Sequence, residues 1–286
     1  MFQKFQNHLL EEFPDLRQQK ILLALSGGLD SCVLLALCMR EGLQVAIAHC
    51  NFQLRGEQSD EDALWIKKLA AERSLECHIK KFDTINYAEK EKLSVQMAAR
   101  NLRYEWFDAL SAKFSYDAVL VAHHADDALE TFMINTMRGS GLKGLLGIPQ
   151  TRGKIIRPLL PFTRTDVINY ANKHKIDWRE DASNAKTDYL RNVLRHKVIP
   201  NWKATDANLQ DQFRTTLEHL GQAQMALDFV IQDFKTKYFF EAEQQIKISI
   251  DGLKSLRPID FFLHALFKTY GFDHVADLNQ LLDAQS

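Results

Sequence analysis

Two short stretches of this chain concentrate the residues able to do chemistry. In Ser26-Gly27-Gly28-Leu29-Asp30-Ser31 a glycine pair sits between hydroxyl and carboxylate side chains. Backbone N–H groups at such a turn approach an anion with no Cβ in the way, and a helix beginning there adds its positive end. The composition reads as a phosphate cradle. The helix end supplies only about 0.3–1 kcal/mol when exposed, so a nucleotide polyphosphate also needs a metal ion and basic side chains. Asp30 is the candidate carrier of that ion. The other common phosphate loop is excluded, because no Gly-Lys-Ser/Thr follows at its spacing. The second stretch, His123-His124-Ala125-Asp126-Asp127-Ala128-Leu129-Glu130-Thr131, crowds five ionisable groups. Holding them together is costly unless a cation, an ammonium group or a phosphate uses them. On a helix Asp127 and Glu130 share a face. The spacing leaves open whether the histidines meet metal, nucleotide or neither.

The elements around these stretches are those of an α/β protein. Ile21–Leu25 is an apolar run before the glycines and Cys32–Met39 an apolar run after them, which predicts strand, tight loop and helix. Gln44–His49 is a second strand running into Asn51-Phe52-Gln53-Leu54-Arg55-Gly56. Glu57–Arg73 is a charged helix, Glu76–Phe82 a strand, Val95–Leu110 a helix, and Asp117–Ala122 the strand that delivers the acidic stretch. In an open parallel sheet ligands lie outside the carboxyl ends of the strands, which puts His49, Asn51 and Arg55 near a nucleotide. Taken alone, His49 reads better as a satisfied structural residue. Arg100 and Arg103 share a helix face, suited either to clamping phosphate or to pairing with Glu105 or Asp108. Met137–Pro149 holds four glycines within nine residues, a permissive loop that moves or passes close to a ligand. Arg191 and Arg195 are one turn apart, a basic face for phosphates. Residues 1–20 carry apolar side chains at helical spacing. Leu209–Phe234 reads as a long amphipathic helix, followed by an Ile246–Ile250 strand and helices from about Pro258 and His274.

Composition narrows the functional classes. At 286 residues and 46% hydrophobic content, the chain has room for one large domain and one smaller one. No run approaches the roughly 18 apolar residues of a membrane span, and the first residues lack a signal-peptide core, so a cytoplasmic protein with no membrane partner is expected. Cys32, Cys38, Cys50 and Cys77 form no Cys-x-x-Cys pair and read as buried thiols. Charge is segregated. Residues 1–150 hold 17 basic against 20 acidic side chains, residues 151–203 hold 12 against 5, and residues 204–286 hold 7 against 12. A middle stretch of +7 between −3 and −5 suits a polyanionic partner.

The loop Ser26–Ser31 resembles the pyrophosphate-binding loop of the ATP pyrophosphatase (PP-loop) superfamily. Together with Asn51–Glu57, Arg100–Tyr104, His123–Thr131, Arg138–Gly147 and the run Glu180–Pro200, taken in this order, it resembles the tRNA(Ile)-lysidine synthetase family over nearly all of residues 20–200. One departure is Ala128, where many members have Gln; Asp127 and Glu130 stay in place beside it.

The resemblance implies a mostly parallel, doubly wound sheet, with a PP-loop catalytic domain over residues 1–203. A smaller, mainly helical tRNA-contacting domain follows over 204–286; its end at Ser286, in a helical stretch without a cap, reads as a fragment boundary. The implied reaction is a ligation. ATP adenylates the cytidine at the first anticodon position of tRNA(Ile) with a CAU anticodon, and L-lysine displaces AMP to form lysidine, changing codon reading from AUG to AUA. Implied catalytic residues are Asp30, Asp127 and Glu130, with Mg2+ held near Asp30. ATP is assigned to Ser26, Gly27, Gly28, Leu29, Asp30, Ser31, His49, Asn51 and Arg100, lysine to Asp127 and Glu130, and tRNA to Arg55, Arg138, Arg191, Arg195 and Lys197. A homodimer is left open. Competing readings are a PP-loop tRNA 2-thiolation enzyme, one branch of which uses a Cys-x-x-Cys pair absent here, an ammonia-using synthetase, and a non-catalytic tRNA-binding module. The lysine-ligating reading needs the glycine loop and the acidic stretch, expected two strands apart, to share one crevice.

Overall fold

The computed structural model describes residues 1–179, 190–242, 245–272 and 275–283. The chain divides into two compact units, Met1–Phe213 and Arg214–Ser286. The first begins with α1 (Phe2–Glu12), β1 (Ile21–Ala24), α2 (Leu29–Arg40), β2 (Val45–Asn51), α3 (Glu57–Glu72) and β3 (Cys77–Lys81). It continues with α4 (Thr84–Lys90), α5 (Val95–Phe114), β4 (Ala118–Leu120), α6 (Ala125–Met137) and α7 (Leu142–Leu145). A short hairpin, β5 (Thr151–Arg152) and β6 (Ile155–Ile156), leads to α8 (Arg164–His174). Beyond it lie α9 (Leu190–Val193), a π-helical turn at Leu194–Val198 and α10 (Ile199–Thr205).

The six strands pair in the order β3-β2-β1-β4-β6-β5, all neighbours parallel except the β5–β6 hairpin. Strand β1 is buried on both faces, as a central parallel strand must be. Alternation of side chains along it feeds two cores. Ile21 and Leu23 join Phe5, Val33, Leu34 and Val167 from α1, α2 and α8, whereas Leu22 joins Trp106, Phe107 and Leu110 from α5. The sheet is thus a middle layer with helices on either side.

The sheet order corrects one expectation. After β3 the chain crosses back over the sheet, and β4 pairs directly with β1, Leu23 opposite Leu120. The glycine loop and the acidic stretch therefore leave adjacent strands, not strands two apart. The reversal of strand order between β2 and β4, with β1 between them, opens a crevice at the carboxyl ends.

In the second unit, α11 (Leu209–Tyr238), which starts before the dividing point, contributes Phe234 to a separate core. The unit adds the antiparallel hairpin β7 (Phe239–Ala242) and β8 (Gln245–Ile248), then α12 (Ile250–Ser255), α13 (Ile259–Phe267) and α14 (Val275–Asp283). Leu253, Phe262, Leu263, Leu266, Leu278 and Leu282 pack with Phe234. Among the described residues no helix is long and apolar enough to cross a membrane. Because Leu23 is fully buried at the centre of the β1 ladder, Leu23→Ala is expected to cost about 2–5 kcal/mol, measured as a shift in the denaturant midpoint.

Candidate active site

The loop between β1 and α2 is fixed through its carbonyls. His49, buried on β2, bonds the Leu25 carbonyl through Nδ1 at 2.9 Å. The Gly27 carbonyl accepts the backbone N–H of Arg179 at 2.9 Å and the Cys32 thiol at 3.4 Å. The Gly28 carbonyl accepts the Ser31 hydroxyl at 2.9 Å, and the Ser26 and Ser31 hydroxyls are 3.0 Å apart. In a trans peptide the carbonyl and the following N–H point in opposite directions. Turning these carbonyls toward the protein directs the N–H groups of Ser26, Gly28 and Leu29 the other way. Gly27 takes φ +89°, which favours glycine by conformation, and a Cβ there would meet Ile66 Cδ1 at 3.4 Å, an ordinary packing distance. Leu29 anchors the first turn of α2 in the core.

The second half of the crevice is the N-terminus of α6. His124 caps it, its backbone N–H donating to Asp127 Oδ2 at 3.0 Å. The His124 ring is completely buried and stands between the two motifs, with Nε2 3.7 Å from Asp30 Oδ1 and 3.6 Å from Asp127 Oδ2. Neither ring nitrogen nor Asp30 Oδ1 has a hydrogen-bond partner among the described residues. Burial pushes the Asp30 carboxyl up, against the opposing pull of His124 and Arg164, whose Nη1 lies 3.5 Å away.

Each acidic side chain on α6 carries a cation. Arg195, on the π-helical turn, donates to Glu130 through Nε at 2.6 Å and Nη2 at 2.9 Å, and its Nη2 reaches Asp127 Oδ1 at 2.8 Å. Arg191 lies 3.4 Å from Glu130 and donates to the Thr131 hydroxyl at 2.8 Å. Lys203 pairs with Asp126, which also accepts the Arg164 N–H at 2.8 Å. Burial alone would raise Asp127, but His124, His123 and Arg195 hold it below the usual carboxylate range. Glu130 remains raised, because its burial outweighs Arg195. His123 is driven down to about 4 by burial, with Arg157, Arg103 and Arg191 adding to the effect, so its ring is neutral at pH 7. A π-turn is an uncommon element that recurs at functional sites.

The other sequence-predicted residues are placed as follows. Asn51 is buried and held by Asp60 at 2.7 Å and by Gln53, while Arg55 pairs with Asp62 at 2.7 Å. Exposed Arg100 lies over the Tyr104 ring at 4.9 Å. Arg138 ends α6 in solvent, and Lys197 is exposed on the π-turn. The first ten residues of the Glu180–Pro200 run, 180–189, lie outside the described residues. Arg164, Lys203, Asp62 and Arg179 were not anticipated. Charge segregation pointed at the region of Arg164, Arg179 and Lys203, with Asp62 outside it, but no local spacing pairs Lys203 with Asp126, 77 residues away, or Arg179 with the start of α3.

Chemically, a phosphate-directed loop and a set of cation-holding carboxylates face each other across one buried imidazole. Removing Arg195 leaves buried Glu130 short of its strongest cation. Arg195→Ala is expected to destabilise the fold by about 3 kcal/mol near pH 8. Its effect raises the folded-state Glu130 pKa further above the unfolded value, and stability from such a group is present at low pH and lost as pH rises through the folded pKa. The deficit against the natural chain should therefore shrink as pH falls toward 5, as read from denaturation midpoints across pH.

The chain matches the PP-loop domain family over residues 1–202 and the TilS substrate binding domain family over residues 241–286. It is 38% identical over 266 residues to the tRNA(Ile)-lysidine synthase of Porphyromonas gingivalis W83, covering 92% of this chain and 58% of that protein. It is 31% identical over 250 residues to the tRNA(Ile)-lysidine synthase of Petrotoga mobilis, covering 86% of this chain and 76% of that protein. Among solved structures, the U34-tRNA thiolase NcsA of Methanococcus maripaludis superposes with a TM-score of 0.62 at 18% identity, covering 76% of this chain and 78% of the thiolase, which is a likeness of fold. The chain spans about three fifths of the length of the Porphyromonas relative. With the two facing loops and the sheet that joins them, these matches establish that the chain belongs to the tRNA(Ile)-lysidine synthase family of PP-loop proteins.

Proposed function

We propose that this chain forms lysidine: it uses ATP to adenylate the ring-2 oxygen of the first-anticodon-position cytidine of a CAU-anticodon tRNA(Ile), and joins L-lysine to that carbon. The observation that carries the reading is the position of His124, within 3.7 Å of Asp30 on the phosphate-loop side and 3.6 Å of Asp127 on the acidic side. One crevice can then hold a triphosphate and a cationic amine together. Residues 1–203 serve as the catalytic domain and residues 204–286 as the tRNA-contacting domain, in a cytoplasmic protein.

The loop N–H groups of Ser26, Gly28 and Leu29 receive the β- and γ-phosphates, so that pyrophosphate leaves when the cytidine oxygen attacks the α-phosphorus. Mg2+, when bound, neutralises charge on the departing pyrophosphate. A magnesium ion takes one or two carboxylates plus phosphate oxygens, and Asp30, with an unpartnered buried oxygen and a raised pKa, fits that demand. Lysine is held by Asp127 and Glu130, the two carboxylates that hold Arg195 here. Its ε-amine attacks C2, the C2–O bond breaks and AMP leaves. Glu130 is the better proton acceptor of the two, because burial raises it whereas Asp127 is lowered. Arg195, displaced from the carboxylates by lysine, and Arg191 grip phosphates beside the splayed-out cytidine. Arg55, Arg138 and Lys197 extend that grip.

Sulfur transfer is disfavoured by the thiols themselves. Burial pushes Cys32 and Cys50 up to about 12 and raises Cys38 and Cys77, which keeps all of them protonated and unreactive.

Pyrophosphate release and incorporation of labelled lysine, measured with ATP, lysine or tRNA omitted in turn, test the proposal. Lysine incorporation should require all three. Asp30→Ala and Glu130→Ala should each lower it by about a hundredfold or more with the fold retained. Full activity in either variant would remove that residue from the chemistry.

A further inference from the structure

Asp62, on the first turns of α3, lies outside every contact described for the carboxylate crevice, yet it is buried and binds two guanidinium groups. Arg55 Nη2 lies 2.7 Å from its Oδ2 and Arg179 Nε 2.5 Å from its Oδ1, and Arg179 also reaches Glu61 at 3.1 Å. Arg179 is the same residue whose backbone N–H holds the Gly27 carbonyl at 2.9 Å. Next to Asp62 on α3, Trp65 and Ile66 stand 3.7 and 3.4 Å from the place a Gly27 Cβ would take. One helix therefore supports the phosphate loop twice, by direct packing and through an ion pair to the residue that bonds it. A buried carboxylate is costly, and the two guanidiniums offset that cost only in this arrangement. If Arg179 shifts, the Gly27 carbonyl is left with the weaker bond from the Cys32 thiol, and the Gly27–Gly28 peptide gains freedom to rotate, and with it the Gly28 N–H, which now donates to the exposed Ser26 hydroxyl at 3.3 Å.

We infer that Asp62 is a positioning residue for the nucleotide: by holding Arg179 it fixes the Gly27 carbonyl, and with it the direction of the loop N–H groups, from outside the crevice. The inference rests on the reading of this loop as the triphosphate site. It assigns Asp62 to one substrate, since the strap meets the loop and none of the α6 carboxylates.

The test measures binding of mant-ATP by fluorescence on the full chain, together with the KM for lysine in the incorporation assay. Asp62→Ala and Arg179→Ala should each weaken mant-ATP binding by about tenfold, with the lysine KM unchanged. The double variant should be no weaker than either single one, because both remove the same strap. Asp62→Glu should restore most of the binding. Arg179 is partly exposed, so its variant carries the test if Asp62→Ala does not fold. Unchanged mant-ATP affinity in the single variants, a parallel rise in lysine KM, or additive losses in the double variant would overturn the inference. Because nucleotide binding is read without turnover, tight mant-ATP binding by a natural chain that incorporates no lysine would count against the proposed reaction alone.

Discussion

The parallel pairing of Ile21, Leu22 and Leu23 with Ala118, Val119 and Leu120 is the constraint on which the crevice depends. It makes neighbours of two loops nearly a hundred residues apart in sequence, and it does so with backbone hydrogen bonds between strands buried on both faces. The side chains of β1 reach both cores, so neither the register nor the orientation of the pair can slip without moving apolar groups into solvent. The helices that start after each strand, α2 and α6, therefore present their N-termini at the same end of the sheet. That geometry suits a polyanion on one side. On the other side it buries carboxylates at the end of a helix where negative charge is favoured.

Electrostatic balance then decides what the acidic side can accept. Asp126, Asp127 and Glu130 each face a cation supplied by residues 190–203, and the bidentate grip of Arg195 on Glu130 is the strongest of these pairings. A site built to hold a guanidinium can hold an ammonium group in its place, at the cost of moving the arginine. The two carboxylates differ in acidity because their surroundings differ. Asp127 accepts a backbone N–H and faces histidines, while Glu130 is almost wholly desolvated. Such a split suits one group for holding charge and the other for taking a proton.

Much of this was legible in the sequence. The apolar runs on either side of Ser26–Ser31 announce β1 and α2 because a buried parallel strand and a buried helix need them, and the Leu209–Phe234 spacing announces α11 in the same way. The acidic stretch was recognisable by its improbable charge density at a strand end. Three things were not legible. Which strand lies beside β1 is set by a crossover over the sheet, a choice that no local pattern encodes. The partners of Arg195, Lys203 and Arg179 depend on where distant helices end, so their charges could be counted but not paired. His49 shows the third limit: its place at a strand end left a structural and a nucleotide-facing role both open, and the bond of its ring to the Leu25 carbonyl is visible only in the three-dimensional loop.

The central claim is that triphosphate and amino acid lie side by side in one crevice. Paramagnetic relaxation measures this directly. With Mn2+ in place of Mg2+, ATP, tRNA and the full chain present, the side-chain protons of bound lysine should relax much faster than with Mg2+. Bound lysine whose relaxation is the same with either metal would place the amino acid far from the nucleotide and contradict the account.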